Sequence, residues 1–82
     1  MKMRKQQYGD KNLVGRNIER LRKEKGITQK ELADYLNVSD KTVSHWEREE
    51  SAPDISILPV LAETLGVTVD ELLKEIIRIK KV

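Results

Sequence analysis

Cysteine is absent from this 82-residue chain, and histidine occurs once. The first absence excludes a disulfide framework, and the two together remove the usual zinc-ligand patterns. No apolar run approaches the roughly 20 residues that a bilayer-spanning helix needs. The amino terminus is basic, but no apolar stretch follows it, so it does not read as a secretory signal and the cytoplasm is the expected location. Strand-like alternation, internal repeats and low-complexity tracts are missing, as is a glycine-rich phosphate loop. With no thiol, one imidazole and carboxylates scattered along helix surfaces, an enzymatic reading is weak and no cofactor is expected. A chain this short makes one small domain with a limited core.

What it does have is charge and helix punctuation. Charged residues make up 37% of the chain, for a net charge of only +2. Their distribution is uneven. Residues 1–30 hold ten Lys or Arg against three acidic residues, and residues 31–82 hold six against eleven. A basic amino-terminal third is a possible phosphate footprint, although a solvated helix surface has the same composition.

The punctuation is a repeated helix start. Ile27-Thr28-Gln29-Lys30-Glu31-Leu32, Val38-Ser39-Asp40-Lys41-Thr42-Val43 and Val67-Thr68-Val69-Asp70-Glu71-Leu72 each place a hydroxyl to cap an orphan N–H. In each, flanking apolar residues form a hydrophobic staple. The first and third add Glu at N3 and so complete a capping box; the second has Thr there. The first two starts lie 11 residues apart, from Thr28 to Ser39. That leaves room for one short helix, a turn and a second helix, the grammar of a helix-turn-helix.

Five helices follow from this. Residues 1–12 are polar, basic and without periodicity, and read as a flexible arm; residues 13–82 form the domain. The first helix runs from about Leu13 to Lys25, with Val14, Ile18, Leu21 and Lys25 as its inner stripe and Gly26 as its stop. The second covers Gln29 to Leu36, with Leu32, Ala33 and Leu36 facing in and Asn37 at its end. The third spans Asp40 to Arg48 or Glu49. After a connector around Pro53, the fourth starts near Ser56, carries Pro59 in its first turn, buries Ile57, Val60, Leu61 and Leu65, and stops at Gly66. The fifth runs from about Val69 to Lys80.

Angular position sorts the third helix. At about 100° per residue, with Asp40 at zero, Ser44 falls near 40°, Arg48 near 80°, Lys41 near 100° and His45 near 140°. One face is wholly polar, with donors and acceptors of short to medium reach. Reading base edges in the major groove needs such a face, as Lys can donate to guanine and Asp can accept from cytosine N4. An ordinary exposed helix face would look the same. The opposite arc is more telling, because Glu47 lies beside Val43 and Trp46. A buried carboxylate needs a partner, and Arg22, one turn after Ile18, is the candidate for a structural ion pair. The inward angle of Trp46 favours core packing over base stacking.

Gly26-Ile27-Thr28-Gln29-Lys30-Glu31-Leu32-Ala33, Val43-Ser44-His45-Trp46-Glu47, Pro53, Leu61-Ala62, Leu65-Gly66-Val67 and Leu72-Leu73 together resemble the lambda-repressor-like (XRE/Cro-type) helix-turn-helix family. The match spans about residues 13–75 without gaps. The resemblance implies an all-α, compact five-helix domain from a prokaryote or its phage, which binds double-stranded DNA as a transcriptional regulator, a repressor above all. It implies base-facing positions for Asp40, Lys41, Ser44 and His45, and phosphate contacts from Gln29, Thr28, Ser39 and Arg48. It also supports the Arg22–Glu47 pair. The position of Gln29 agrees independently, since it lies in the first turn of a helix whose free N–H groups suit a phosphate.

One departure stands out. Family members often carry Gly and then basic residues after the Trp-Glu pair, whereas here the run is Arg48-Glu49-Glu50. Acidic side chains near phosphates cost affinity. Arg16, Arg20, Lys23 and the Lys2–Lys5 cluster could compensate. Alternatively, this copy is a protein-interaction module on the same fold, an antitoxin or phage accessory factor. In the fifth helix Val69, Leu72, Leu73, Ile76, Ile77 and Ile79 cover an arc of about 160°, wider than the roughly 100° a surface helix buries. A homodimer through this helix, set on an inverted-repeat operator, is the expected assembly.

Overall fold

The structure, a computed structural model, describes residues 13–74. Their backbone forms five α-helices and one 3-10 turn, with no strand among the described residues: α1 Leu13–Lys25, α2 Gln29–Leu36, α3 Asp40–Glu47, the turn Ile55–Ile57, α4 Leu58–Leu65 and α5 Val69–Leu73. The basic segment 1–12 lies outside the described residues.

Three helices start on their own side-chain caps, and three end on left-handed residues. The Thr28 hydroxyl accepts from the Glu31 amide at 3.0 Å, and the Glu31 carboxylate accepts from the Thr28 amide at 2.8 Å. Thr68 and Glu71 repeat the box at α5, with both bonds at 3.0 Å. Ser39 caps α3 through the Thr42 amide at 3.1 Å. Gly26, Asn37 and Gly66 take left-handed φ values of 75°, 61° and 78°. That conformation lets the next amide reach back and satisfy carbonyls at the helix end.

The inward faces meet in one core built from Val14, Ile18, Leu32, Ala33, Leu36, Val43, Trp46, Leu61, Ala62, Leu65 and Leu72. On α1 the buried stripe is wider and more polar than the apolar spacing suggests. It includes Asn17 and Arg22, while Lys25 is exposed.

The fourth and fifth helices differ from the sequence expectation. Ser56 belongs to a 3-10 turn, not to a helix, because the Asp54 carboxylate accepts from both the Ser56 amide at 3.3 Å and its hydroxyl at 2.6 Å. The same bonds hold the Asp54 carboxyl below its usual pKa. Val60 lies on the outer side of α4 and is exposed, with Ala62 taking its inward place. The helix expected over 69–80 ends at Leu73, since Lys74 has extended dihedrals, φ −75° and ψ 145°. The cause is on α1. The fully buried Asn17 amide donates to the Leu72 carbonyl at 2.7 Å and the Lys74 carbonyl at 2.8 Å, and so satisfies the end of α5 from outside. Leu72 is buried, Val69 partly so and Leu73 exposed. Ile76, Ile77 and Ile79, the rest of the expected apolar arc, lie outside the described residues.

Candidate nucleic-acid interface

The polar face of α3 is the outer face. Val43, Trp46 and Glu47 are buried, Asp40, Lys41 and Arg48 are exposed, and Ser44 and His45 are half-buried. Six side chains, Gln29, Asp40, Lys41, Ser44, His45 and Arg48, line one open depression of about 470 Å³. The four expected base-facing residues are thus brought together on α3, with Gln29 from α2 at one edge and Arg48 at the end of the helix. Thr28 and Ser39 do not line it. Their hydroxyl oxygens are engaged as caps, Ser39 with a further contact to the Thr42 hydroxyl at 3.0 Å.

Beneath this face one carboxylate ties three elements together. Glu47 accepts from Arg22 Nε at 2.7 Å, from Arg22 Nη2 at 3.0 Å and from Gln29 Nε2 at 2.9 Å. Arg22 Nη1 also donates to the Ile27 carbonyl at 2.9 Å. Both charged side chains are hidden, at 11% and 3% exposure, so the charges are out of water but bidentate and hydrogen-bonded. The hydrogen bond to Glu47, aided by its charge, raises the Arg22 pKa above its usual value while burial works against it. Gln29 therefore has one amide hydrogen on Glu47 and keeps the rest of its amide at the edge of the depression.

The turn that leaves α3 is shaped by a residue in an unusual conformation. Glu49 has φ 65°, a left-handed backbone that normally favours glycine. Its amide donates to the Trp46 carbonyl at 3.0 Å and the Glu50 amide donates to the His45 carbonyl at 2.9 Å, the two bonds of a Schellman C-cap. The turn folds the two carboxylates back onto cations. Glu49 accepts from Arg16 Nε at 2.8 Å. Glu50 lies 2.9 Å from His45 Nδ1 and 3.3 Å from Arg48 Nη2.

Sequence reasoning missed two residues of α1 that fix its packing, one against α3 and one against α5. At Gly15, an added Cβ would run into the Trp46 carbonyl oxygen, so α1 and α3 pack backbone to backbone there. Asn17 is a buried polar residue that a search for apolar spacing does not find. Its one signal is position, since it precedes Ile18 and follows Val14 by three on the buried stripe.

A helix-turn-helix family model matches residues 18–72. The uncharacterized HTH-type transcriptional regulator y4dJ of Sinorhizobium fredii is 42% identical over 62 residues, covering 76% of this chain and 80% of that protein. The immunity repressor protein of Bacillus phage phi105 is 35% identical over 68 residues, 83% of this chain and 47% of that protein. The match to the transcriptional activator BcrR of Enterococcus faecalis spans only 28% of that protein, at 38% identity over 68% of this chain. Several curated relatives are thus much longer than the part this chain matches. Among solved structures, the P22 c2 repressor in complex with a synthetic operator superposes with a TM-score of 0.71 at 37% identity, over 76% of this chain and 94% of that one. The amino-terminal DNA-binding domain of SinR from Bacillus subtilis gives 0.71 at 35% identity, over 78% and 94%. A match over most of the described chain, on a structure with this helix order, identifies the chain as a member of the lambda-repressor-like helix-turn-helix family.

Proposed function

We propose that this chain is a sequence-specific double-stranded-DNA-binding transcriptional regulator, acting as a repressor, which inserts α3 into the major groove. The observation that carries the reading is the polar depression on α3, clamped from below by Glu47. Lys41 donates to guanine O6 and N7, Asp40 accepts from a cytosine amine, and Ser44 and His45 meet neighbouring edges. Gln29, Thr28, Ser39 and Arg48 face phosphates and set register without reading sequence. The immunity repressor of phage phi105 and the operator-bound P22 c2 repressor support repression as the outcome.

One α3 spans only a few base pairs, so the chain acts as a homodimer on an inverted repeat with half-sites about one helical turn apart. The carboxy-terminal segment from Val69 onward carries the dimer interface, with Leu73 the exposed apolar residue at its start.

The test is selection of bound duplexes from a random library at two salt concentrations. The expected product is a two-fold-symmetric motif with affinity that falls as salt rises. Recovery of no motif, with co-purification of a protein partner instead, sinks the reading and points to an interaction module.

A further inference from the structure

We propose that duplex binding loads a proton onto His45, so that DNA affinity rises as the solution becomes more acid. The inference rests on the DNA-binding function above and adds a control to the same site.

Histidine is the side chain whose charge ordinarily changes between about pH 5 and 8, and this chain has one. His45 is half-buried and lines the polar depression on α3. The charged groups around it pull in opposite directions. Glu50, from the turn, lies 2.9 Å from Nδ1, a charge-pair distance that favours the protonated ring. Asp40, on the same face of α3, acts in the same sense. Lys41 and Arg48 line the depression too and oppose a further positive charge. Gln29, from α2, is uncharged. Arg48 Nη2 also lies 3.3 Å from the Glu50 carboxylate, so a protonated ring shares that partner with a guanidinium. Two carboxylates thus stand against two cations, and in the free chain the local charge is balanced before the ring gains a proton.

A duplex ends this balance. Its phosphates place one negative charge about every 1.7 Å along the helix axis, and insertion of α3 brings the ring into that field. Lys41 and Arg48 then face DNA acceptors, which offset the charge that opposed the proton. A doubly protonated ring has only donors to offer. Guanine O6 and N7, thymine O4 and phosphate oxygens are acceptors within the groove or at its wall. The field and these acceptors both favour the charged ring. The ring therefore titrates at higher pH in the complex than in the free chain. By linkage, binding is tightest below the midpoint of the free ring, and the gain is lost as pH rises through the midpoint of the bound ring.

With a single histidine, imidazole spectra of the full protein report His45 alone. The probe is the most enriched duplex from the library selection. The ring's midpoint should lie about half a pH unit or more higher in the complex, and affinity should rise about threefold or more from pH 8 to pH 6. H45Q keeps the terminal amine, the other group that titrates in this range, and should lose the rise. In E50Q both midpoints, free and bound, should fall by roughly a few tenths of a pH unit, the scale of a half-exposed charge pair. Added salt should narrow the gap between free and bound midpoints, because it screens the phosphates. Selection repeated at pH 6 and pH 8 locates the acceptor. A preference that sharpens at one base position in acid marks a base edge, and a gain equal for all sequences marks a phosphate. Equal midpoints in the free and bound protein overturn the proposal, as does a wild-type pH slope that survives in H45Q. A library selection that enriches no duplex removes the DNA-binding function itself, and this proposal falls with it.

Discussion

Lys41 and Glu47 belong to the same helix, yet they make opposite demands. Lys41 is exposed on the polar face of α3, and its replacement leaves the core intact. Lys41→Ala should cost about 1–3 kcal/mol of binding and relax preference at one base position, measured by titration against single-base operator variants. Gln29→Ala should instead weaken binding to every duplex alike. Glu47 is the buried acceptor for Arg22 and Gln29. Glu47→Ala strands the Arg22 charge, and breaking a buried pair costs about 3–5 kcal/mol. Urea unfolding should show that loss, a large share of the ~5–15 kcal/mol that holds a typical domain together. Replacing both partners with apolar residues of similar volume should recover most of it, because no lone charge then remains.

The helix that carries these residues is set by its two ends and by its approach to α1. Gly15→Ala places a methyl against the Trp46 carbonyl, which is backbone and cannot swing aside. Overpacking of this kind costs about 1–3 kcal/mol, which thermal unfolding would register. Glu49→Gly acts in the opposite sense. Relief of the left-handed backbone is worth about 1–2 kcal/mol, against a loss of roughly 0.2–1 kcal/mol for the exposed Arg16 pair. The net expectation is a modest rise in melting temperature. Much of this architecture was legible in the chain. The caps at Thr28, Ser39 and Thr68 and the stops at Gly26, Asn37 and Gly66 act within a turn of themselves, and local rules find them. The end of α5 was not legible, because Asn17 imposes it from 55 residues away. Nor was the left-handed backbone of Glu49, a conformation that normally favours glycine. The outward polar face of α3 was readable by angle, and so was the burial of Trp46 and Glu47. The partnership of Glu50 with His45 required the curl of the turn.

Across the whole molecule, charge is divided between a basic amino-terminal third and an acidic remainder, and Arg16 with Glu49 joins the two beside α3. Arg16 and Arg48, both exposed, are held by Glu49 and Glu50. A cation already engaged within the chain is less able to neutralise a phosphate and release its counterion. The double variant E49Q/E50Q should therefore steepen the dependence of log affinity on log salt by about 0.9 for each additional phosphate that a freed arginine neutralises. Binding isotherms over a range of salt concentrations would measure it, and a parallel pair of lines would refute it. The three-way junction on Glu47 has a practical outcome for genetics. A screen for lost repression would return this hidden side chain, with 3% of its surface exposed, as readily as Lys41. Protease sensitivity in cell extracts would separate the two classes of mutant, since only the Glu47 class is digested.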